Sequence, residues 1–276
     1  MNTNKLVIKD LKYKNVFNDF SIFIEQEGFI IISGPNNCGK TTLIRMINKE
    51  IASNNSIALY CNKLEEIKVT EISSIVKTII PKEITFFQKT IEEELSNQLD
   101  SKLKKEDKQK IIKEYIKQFK LNKVSTKPVE ILSEEEIIRF QIIEGLVNSP
   151  KMIIVDELTP YFNKKDLIEL TKSIKEICKK NNITLIMMTN NMDIALLSDY
   201  IYVFSDSLIL LEGSPLEVLQ KDNVLNKLGI DLPFMMDLSV KLRDYDLIKD
   251  IELDMDRMVD ILWKWNLPTI LIKKIN

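Results

Sequence analysis

Residues 34–42 combine glycine, lysine and hydroxyl side chains at a spacing that suits phosphate chemistry. They read GPNNCGKTT and match G-x-x-x-x-G-K-[ST], in which glycines let backbone N–H groups curl around phosphates. An apolar run, FIIIS (29–33), precedes the match, and a helical pattern, LIRMINKE (43–50), follows it, so a helix dipole is added. Lys40 is expected to reach the β- and γ-phosphates of a nucleotide, and the Thr41 hydroxyl to ligate Mg²⁺.

The whole loop is predicted to bind ATP. Its residues are Gly34, Pro35, Asn36, Asn37, Cys38, Gly39, Lys40, Thr41 and Thr42. The alternative is a glycine-containing turn without a ligand. The strand before the loop and the helix after it favour phosphate binding, because the motif needs this context.

A second chemical cluster ends the apolar run KMIIVDEL, residues 151–158. Asp156 closes the predicted strand, where a carboxylate can hold Mg²⁺ beside Thr41. Glu157 follows directly and can orient or deprotonate an attacking water. The alternative is a pair of solvated acids at an ordinary strand end. The phosphate-binding loop upstream favours the functional interpretation.

Between these clusters, residues 131–140 read ILSEEEIIRF. Ser133 and Glu136 fit the S-x-x-E capping box that opens helices. Glu134 and Glu135 place two more carboxylates in the first helical turn, where the helix dipole stabilises negative charge. This segment is therefore predicted to be a well-capped helix start.

Composition narrows the class of protein. The chain has 276 residues, of which 45% are hydrophobic, which allows one large domain or one domain with a small appendage. A net charge of −2 gives no support for a nucleic-acid partner. Three widely spaced cysteines without metal-site spacing indicate a reducing compartment. Early charges argue against a signal peptide, and no run approaches the ~18 apolar residues that span a bilayer.

Short β-branched segments alternate with helical patterns along most of the chain. Alternation of apolar strands with helices predicts an α/β fold with a parallel sheet covered on both faces. From Ile91 to Lys120, apolar residues at helical spacing among Lys and Glu predict a helical subdomain. The tail segments LPFMMDLSVKL and LDMDRMVDILWKW predict two amphipathic helices. The predicted strands are KLVIKD, SIFIE, FIIIS, SIALY, MIIVD, ITLIMMT, YIYVF and LILLE.

The order of these features resembles an ABC ATPase subunit over residues 1–222. The resemblance rests on the phosphate loop, a helical insertion, an LS-starting helix, a strand ending in Asp-Glu and a further apolar strand. It implies a P-loop ABC ATPase domain with a mixed or parallel sheet core, an antiparallel β subdomain and a helical subdomain at about 90–150. It also implies that Tyr13 stacks on adenine, with a packed strand tyrosine as the alternative.

A looser resemblance connects TFFQKTIEEEL (85–95) and the tail from LPF onward with the ATPases of energy-coupling factor (ECF) transporters. In that family two ATPases, often different chains, lie beneath a shared transmembrane protein and a substrate-binding membrane protein, and import vitamins or metal ions. The resemblance implies a helical C-terminal extension at 223–276, the cofactors ATP and Mg²⁺, and a peripheral location at the cytoplasmic face of the cell membrane. The extension either dimerises or caps apolar surface.

The chain departs from the family pattern in four places. The signature LSGGQ reads LSEEE from Leu132, and the switch histidine is replaced by Asn190. D-E-P-T becomes D-E-L-T, followed by YFNK (161–164) where Leu-Asp is usual. The Gln-loop residue is either Gln88 or, in the alignment we prefer, a position held by Ile80.

The replaced residues change what each site can do. In ABC ATPases, ATP on one subunit's P-loop is clamped by the signature of the other subunit. Glu134 and Glu135 remove the close backbone approach of glycine, and two like charges about 4 Å apart in a partly dry interface cost on the order of 4 kcal/mol. We therefore expect impaired clamping of the partner's ATP. Asn190, which with Glu157 is a predicted catalytic residue, can hydrogen-bond a phosphate but is no acid or base near neutral pH.

The two changes fall on different composite sites, so a homodimer would combine both in each site. We expect a slow or partner-dependent ATPase subunit of an ECF-type importer, paired with a second ABC ATPase of intact signature and with integral membrane subunits. The alternative is a nucleotide-binding structural subunit of such a complex that rarely turns over. A soluble ABC ATPase of DNA repair or translation is disfavoured, because 276 residues leave no room for a long coiled coil or a second cassette.

Overall fold

Two sheets form the frame of the chain in the computed structural model, which describes residues 5–25, 27–81, 86–99 and 103–273, with side chains as far as residue 264. One is antiparallel, with strand order β2-β1-β4-β5, and the other has the order β10-β9-β3-β8-β7-β6. Neighbours in the larger sheet pair in parallel, except for the β9–β10 hairpin at one edge. This confirms the predicted sheet core and antiparallel subdomain. The strands are β1 (Leu6–Tyr13), β2 (Phe17–Ile24), β3 (Phe29–Ser33), β4 (Ile57–Leu59), β5 (Asn62–Lys63), β6 (Val76–Ile79), β7 (Met152–Asp156), β8 (Thr184–Met188), β9 (Tyr200–Ser205) and β10 (Leu208–Gly213).

The helices cover the larger sheet and form the helical subdomain and the tail. None of those in the described part of the chain is long and apolar enough to cross a membrane. The first helix ends slightly before the predicted end near Glu50, and Lys49 there adopts left-handed backbone with φ 63°. The helices are α1 (Lys40–Ile47), α2 (Val69–Ile75), α3 (Ile91–Gln98), α4 (Lys105–Gln118), α5 (Glu134–Leu146), α6 (Lys164–Lys180), α7 (Met192–Ala195), α8 (Pro215–Leu219), α9 (Asp222–Lys227), α10 (Phe234–Asp244) and α11 (Met255–Lys273).

The central strands are buried on both faces, which explains their continuous apolar sequences. Along β7, Ile153 and Val155 point into a core shared with α5 and α6. Met152 and Ile154 point the other way, into a core shared with α1 and the antiparallel sheet. Successive side chains of a strand alternate between its faces, so one strand serves both cores. The carboxyl ends of β3, β6, β7 and β8 consequently meet at one rigid edge.

Strand β6 is an element that the sequence analysis does not predict. Val76 pairs in parallel with Met152, which places β6 at the outer edge of the larger sheet. Its sequence, VKTI, carries two polar residues, and both are only partly buried. The mixed pattern arises because an edge strand is not covered on all sides, so the apolar run that marks the inner strands is missing.

The C-terminal extension packs into the same core as the ATPase-like part of the chain. Leu225, Ile230, Met236 and Val240 are buried in the core beneath α5 and α6. The first part of the extension is therefore packed into the hydrophobic core. Its two predicted helices are observed as α10 and α11.

Candidate functional site

The predicted phosphate loop connects β3 to α1 at the carboxyl edge of the sheet. Gly39 has φ 110° and Asn37 has φ 66°, so the loop curls through left-handed backbone before the helix begins. A Cβ at Gly34 would lie 2.2 Å from the carbonyl oxygen of Phe204. Both glycines are thus required by the backbone path, and the N-terminus of α1 opens onto the loop.

The β1–β2 hairpin lies against this loop. A Cβ at Gly39 would come within 2.5 Å of the Phe17 ring and 2.7 Å of Val16. Tyr13 pairs with Phe17 across the hairpin, is half-buried, and has the Lys14 ammonium 5.1 Å from its ring centroid. The structure therefore brings Tyr13 close to the loop, where its adenine-stacking role stays a prediction.

Lys40 folds back into the loop. Its Nζ donates to the carbonyl oxygens of Gly34 at 2.6 Å and Pro35 at 3.1 Å, and approaches the Cys38 sulfur at 3.7 Å. Burial raises the pKa of the Cys38 thiol, and the nearby Lys40 offsets part of that rise. The ammonium thus lies within the ring of backbone that the motif builds for phosphates. Thr42 is half-buried in the first turn of α1.

The two residues predicted to hold Mg²⁺ meet. The Thr41 hydroxyl donates to Oδ2 of Asp156 across 2.7 Å, and Asp156 is only 8% exposed. A hydroxyl and a carboxylate supply hard oxygen ligands. Mg²⁺ commonly uses one or two such protein groups, with the remaining positions filled by phosphates and water. The donor set therefore fits a magnesium ion that arrives with a nucleotide.

Glu157 is held in one orientation by several donors. Its Oε1 accepts from the hydroxyl of Thr189 at 2.9 Å and from both the hydroxyl and the backbone N–H of Thr159. Its Oε2 accepts only a longer bond, 3.3 Å, from the backbone N–H of Asn190, among the contacts of the described residues. One carboxylate oxygen is therefore anchored by three donors, and the other accepts a single, longer bond.

The Asn190 side chain faces the phosphate loop. Its Oδ1 accepts from the Ser33 hydroxyl at 2.9 Å and from the Gly34 N–H at 3.1 Å. Asn190 lies two residues beyond β8, and Ser33 ends the neighbouring strand β3. The residue in the switch position consequently connects the start of the loop with Glu157.

A cleft of about 430 Å³ opens over these groups. Asn36 of the phosphate loop, Glu157 and Asn190 line one side of it. Gly229, Asp231, Leu232 and Pro233, from the segment between α9 and α10, line it as well, and Asp231 adds an exposed carboxylate. The C-terminal extension therefore contributes a wall to the cleft that contains the predicted catalytic residues.

The segment 133–136, here called the acid-rich slot, forms the capping box that the sequence predicts. Ser133 accepts from the Glu136 N–H at 3.3 Å, and Glu136 Oε2 accepts from both the N–H and the hydroxyl of Ser133 at 2.8 Å. The Ser133 proton is directed at a carboxylate of its own helix. Glu134 is exposed at the first position of α5. The slot is therefore organised as a helix start, and its serine hydroxyl has an acceptor within the chain.

Glu135 is neutralised by an ion pair that the sequence analysis does not predict. Both Nε and Nη2 of Arg139 donate to Glu135 Oε1, at 2.9 and 2.7 Å. Arg139 is buried, and its guanidinium lies 5.3 Å from the centroid of the Phe162 ring, in the loop that follows β7. The i,i+4 spacing in ILSEEEIIRF was the available signal for this pair.

The two alternatives for the Gln-loop position lie in different places. Ile80 directly follows β6 at the carboxyl edge of the sheet, beside the strand that ends in Asp156. Gln88 lies shortly before α3, where its backbone N–H donates to Glu94 at 2.7 Å. The Ile80 position is thus the one that follows a strand end at the candidate site, and the choice between the two alignments stays a prediction.

Comparison with known proteins relates the chain to ABC transporters. The family model described as ABC transporter matches residues 17–160. The chain is 29% identical to the energy-coupling factor transporter ATP-binding protein EcfA1 of Mycoplasma mobile, over 89% of this chain and 93% of that protein. It is 27% identical to EcfA of Pediococcus pentosaceus, over 92% and 94%.

A solved structure shares the fold. CbiO1 of Clostridium perfringens, described as part of the ABC transporter complex cbiONQ, superimposes with a TM-score of 0.70 at 23% identity, over 86% of this chain and 98% of that one. The matched family model spans more than half of the 276 residues and includes the phosphate loop, the acid-rich slot and the Asp156–Glu157 pair. This chain belongs to the ABC transporter family, as one of its ATP-binding subunits.

Proposed function

We propose that this chain binds and hydrolyses MgATP as one ATPase subunit of an ECF-type importer that energises uptake of a vitamin or a metal ion. The observation that carries the proposal is the contact of Thr41 with Asp156 beside an anchored Glu157. The similarity to ECF transporter ATP-binding proteins over about nine-tenths of both chains supports the transporter class.

The site residues divide the chemistry among them. Lys40 and the loop N–H groups bind the phosphates, while Thr41 and Asp156 hold the magnesium ion, which neutralises phosphate charge. Glu157 accepts a proton from, or orients, the attacking water through the oxygen that is not anchored. Tyr13 stacks on the adenine from the hairpin that lies against the loop.

The acid-rich slot implies an asymmetric pair of ATPases. The Ser133 hydroxyl is directed at Glu136, and side chains replace the glycines that allow close backbone approach. This surface consequently clamps a partner's ATP poorly. The ATP on Lys40 requires a partner with an intact signature, so we propose a heterodimer that docks on integral membrane subunits at the cytoplasmic face of the membrane.

A second candidate function is that of a structural subunit in the same kind of complex, which binds ATP but rarely hydrolyses it. The Asn190 side chain accepts from Ser33 and Gly34, so its oxygen serves the loop. A subunit of this kind holds ATP, docks on the membrane protein and rarely hydrolyses. The presence of Thr41, Asp156 and Glu157 together in one site favours the hydrolysing subunit over this alternative.

Affinity purification of the tagged chain from native membranes, followed by mass spectrometry, tests the assembly. We expect a second ATPase with intact LSGGQ and switch histidine together with an integral membrane protein. Recovery of a homodimer or of soluble partners alone would refute the transporter assignment. Within the purified complex, Glu157→Gln should lower ATP turnover, whereas unchanged turnover would establish the non-hydrolysing candidate.

A further inference from the structure

The oxygen of the Asn190 side chain is committed to the phosphate loop. A carboxamide oxygen has two lone pairs, and both have donors here, the Ser33 hydroxyl at 2.9 Å and the Gly34 N–H at 3.1 Å. Ser33 is fully buried at the end of β3, so its donor is fixed by the sheet. The orientation of the amide is therefore set by the start of the loop.

Gly34 is the residue at which the loop leaves the sheet. Its backbone already packs so closely on Phe204 that a Cβ would meet the carbonyl oxygen at 2.2 Å, and its own carbonyl accepts from Lys40. The bond from its N–H to Asn190 Oδ1 holds the preceding peptide, between Ser33 and Gly34, so both peptide units of Gly34 are fixed. The loop thus starts from a point held by β9, by Lys40 and by Asn190.

We propose that Asn190 is a positioning residue that holds the first turn of the phosphate loop in its nucleotide-binding shape. The inference rests on the proposed function only in requiring that the loop binds a nucleotide. Because the loop as a whole wraps the phosphates, ordering it benefits every nucleotide that uses it. A residue that contacted the γ-phosphate would instead discriminate ATP from ADP.

The test is equilibrium binding of MgATP and MgADP to the purified chain. We expect Asn190→Ala to weaken both nucleotides by the same factor, about tenfold, since it removes two hydrogen bonds from the loop. Ser33→Ala should weaken both by a smaller common factor, about threefold. The double variant should bind no more weakly than Asn190→Ala, because both changes act on one contact.

Asn48→Ala is the matched control. Asn48 Oδ1 also accepts from a hydroxyl, that of Thr78 at 2.8 Å, but at the far end of α1. Asn48→Ala should therefore leave the affinities for MgATP and MgADP within about twofold of the wild-type values. Ser33→Ala keeps the inference testable if Asn190→Ala does not fold.

Two results would overturn the inference while the proposed function stands. One is a loss of ATP affinity in Asn190→Ala with ADP affinity unchanged, which would identify a γ-phosphate contact. The other is unchanged affinity for both nucleotides in Asn190→Ala. Failure of the wild-type chain to bind either nucleotide would overturn the inference and the proposed function together.

Discussion

The hydroxyl of Thr41 lies 2.7 Å from Oδ2 of Asp156, which joins the first turn of α1 to the end of β7. The residues are far apart in the chain but occupy adjacent positions at one edge of the sheet. These two side chains would hold a magnesium ion that arrives with a nucleotide, and this expectation gives the first prediction.

Thr41→Val should abolish most of the benefit that Mg²⁺ gives to ATP binding. The substitution keeps the shape of the side chain and removes the oxygen ligand, so we expect about tenfold weaker binding in magnesium. The measurement is the ratio of ATP affinities in Mg²⁺ and in EDTA. Thr41→Ser should preserve that ratio, and an equal loss in both buffers would contradict the assigned role.

Thr189→Val should lower ATP turnover of the assembled complex by about tenfold, because Oε1 of Glu157 loses the donor that comes from the end of β8 and keeps those of Thr159. Thr189→Ser retains the hydroxyl and should retain most of the rate. In a Glu157→Gln background the Thr189 substitution should have no further effect. Additive losses in the double variant would show that Thr189 acts by another route.

Glu136→Ala should destabilise the chain by about 1 kcal/mol, the usual loss when one helix cap is removed. Ser133→Ala breaks the same capping box and should cost a similar amount, while the double variant should cost less than the sum. The measurement is the free energy of unfolding in urea. Strict additivity would show that the two residues do not share a cap.

The three cysteines should react with maleimide in a defined order. Cys61 is exposed and should react first, Cys38 is half-buried and should be slower, and Cys178 is buried with its pKa raised to about 12. Because burial raises the pKa of Cys38, its thiolate fraction and labelling rate should still increase above pH 9. Mass spectrometry of labelled peptides gives each rate.

MgATP should slow the labelling of Cys38 and leave Cys61 unaffected, because Cys38 lies inside the phosphate loop and next to Lys40. This comparison needs no turnover, and Cys61 is its internal control. Equal Cys38 rates with and without the nucleotide would argue against binding at this loop.

Features that depend on local spacing could be predicted from the sequence. The loop around Lys40, the strand ending in Asp156 and the capping box of Ser133 each follow from a short motif with a physical reason for its spacing. The structure places them as those patterns predict.

Contacts that depend on which strands are neighbours could not be predicted. Ser33 and Asn190 meet because β3 lies beside β8, and Thr189 reaches Glu157 because β8 lies beside β7. Their positions at or just after the ends of apolar strands were the available signal, because the carboxyl ends of parallel strands share an edge. The sequence analysis found no local pattern predicting that the segment before α10 lines the cleft.

The ion pair of Glu135 with buried Arg139 makes the acid-rich slot difficult to reverse. Replacing Glu135 by glycine would remove two hydrogen bonds from a buried guanidinium that also lies against the Phe162 ring. Replacing Glu136 would open the cap, and either step weakens α5 before any backbone approach to a nucleotide is regained. The same two glutamates that keep glycine out of the slot therefore also hold the start of α5 together, so a single change to glycine is expected to destabilise the helix.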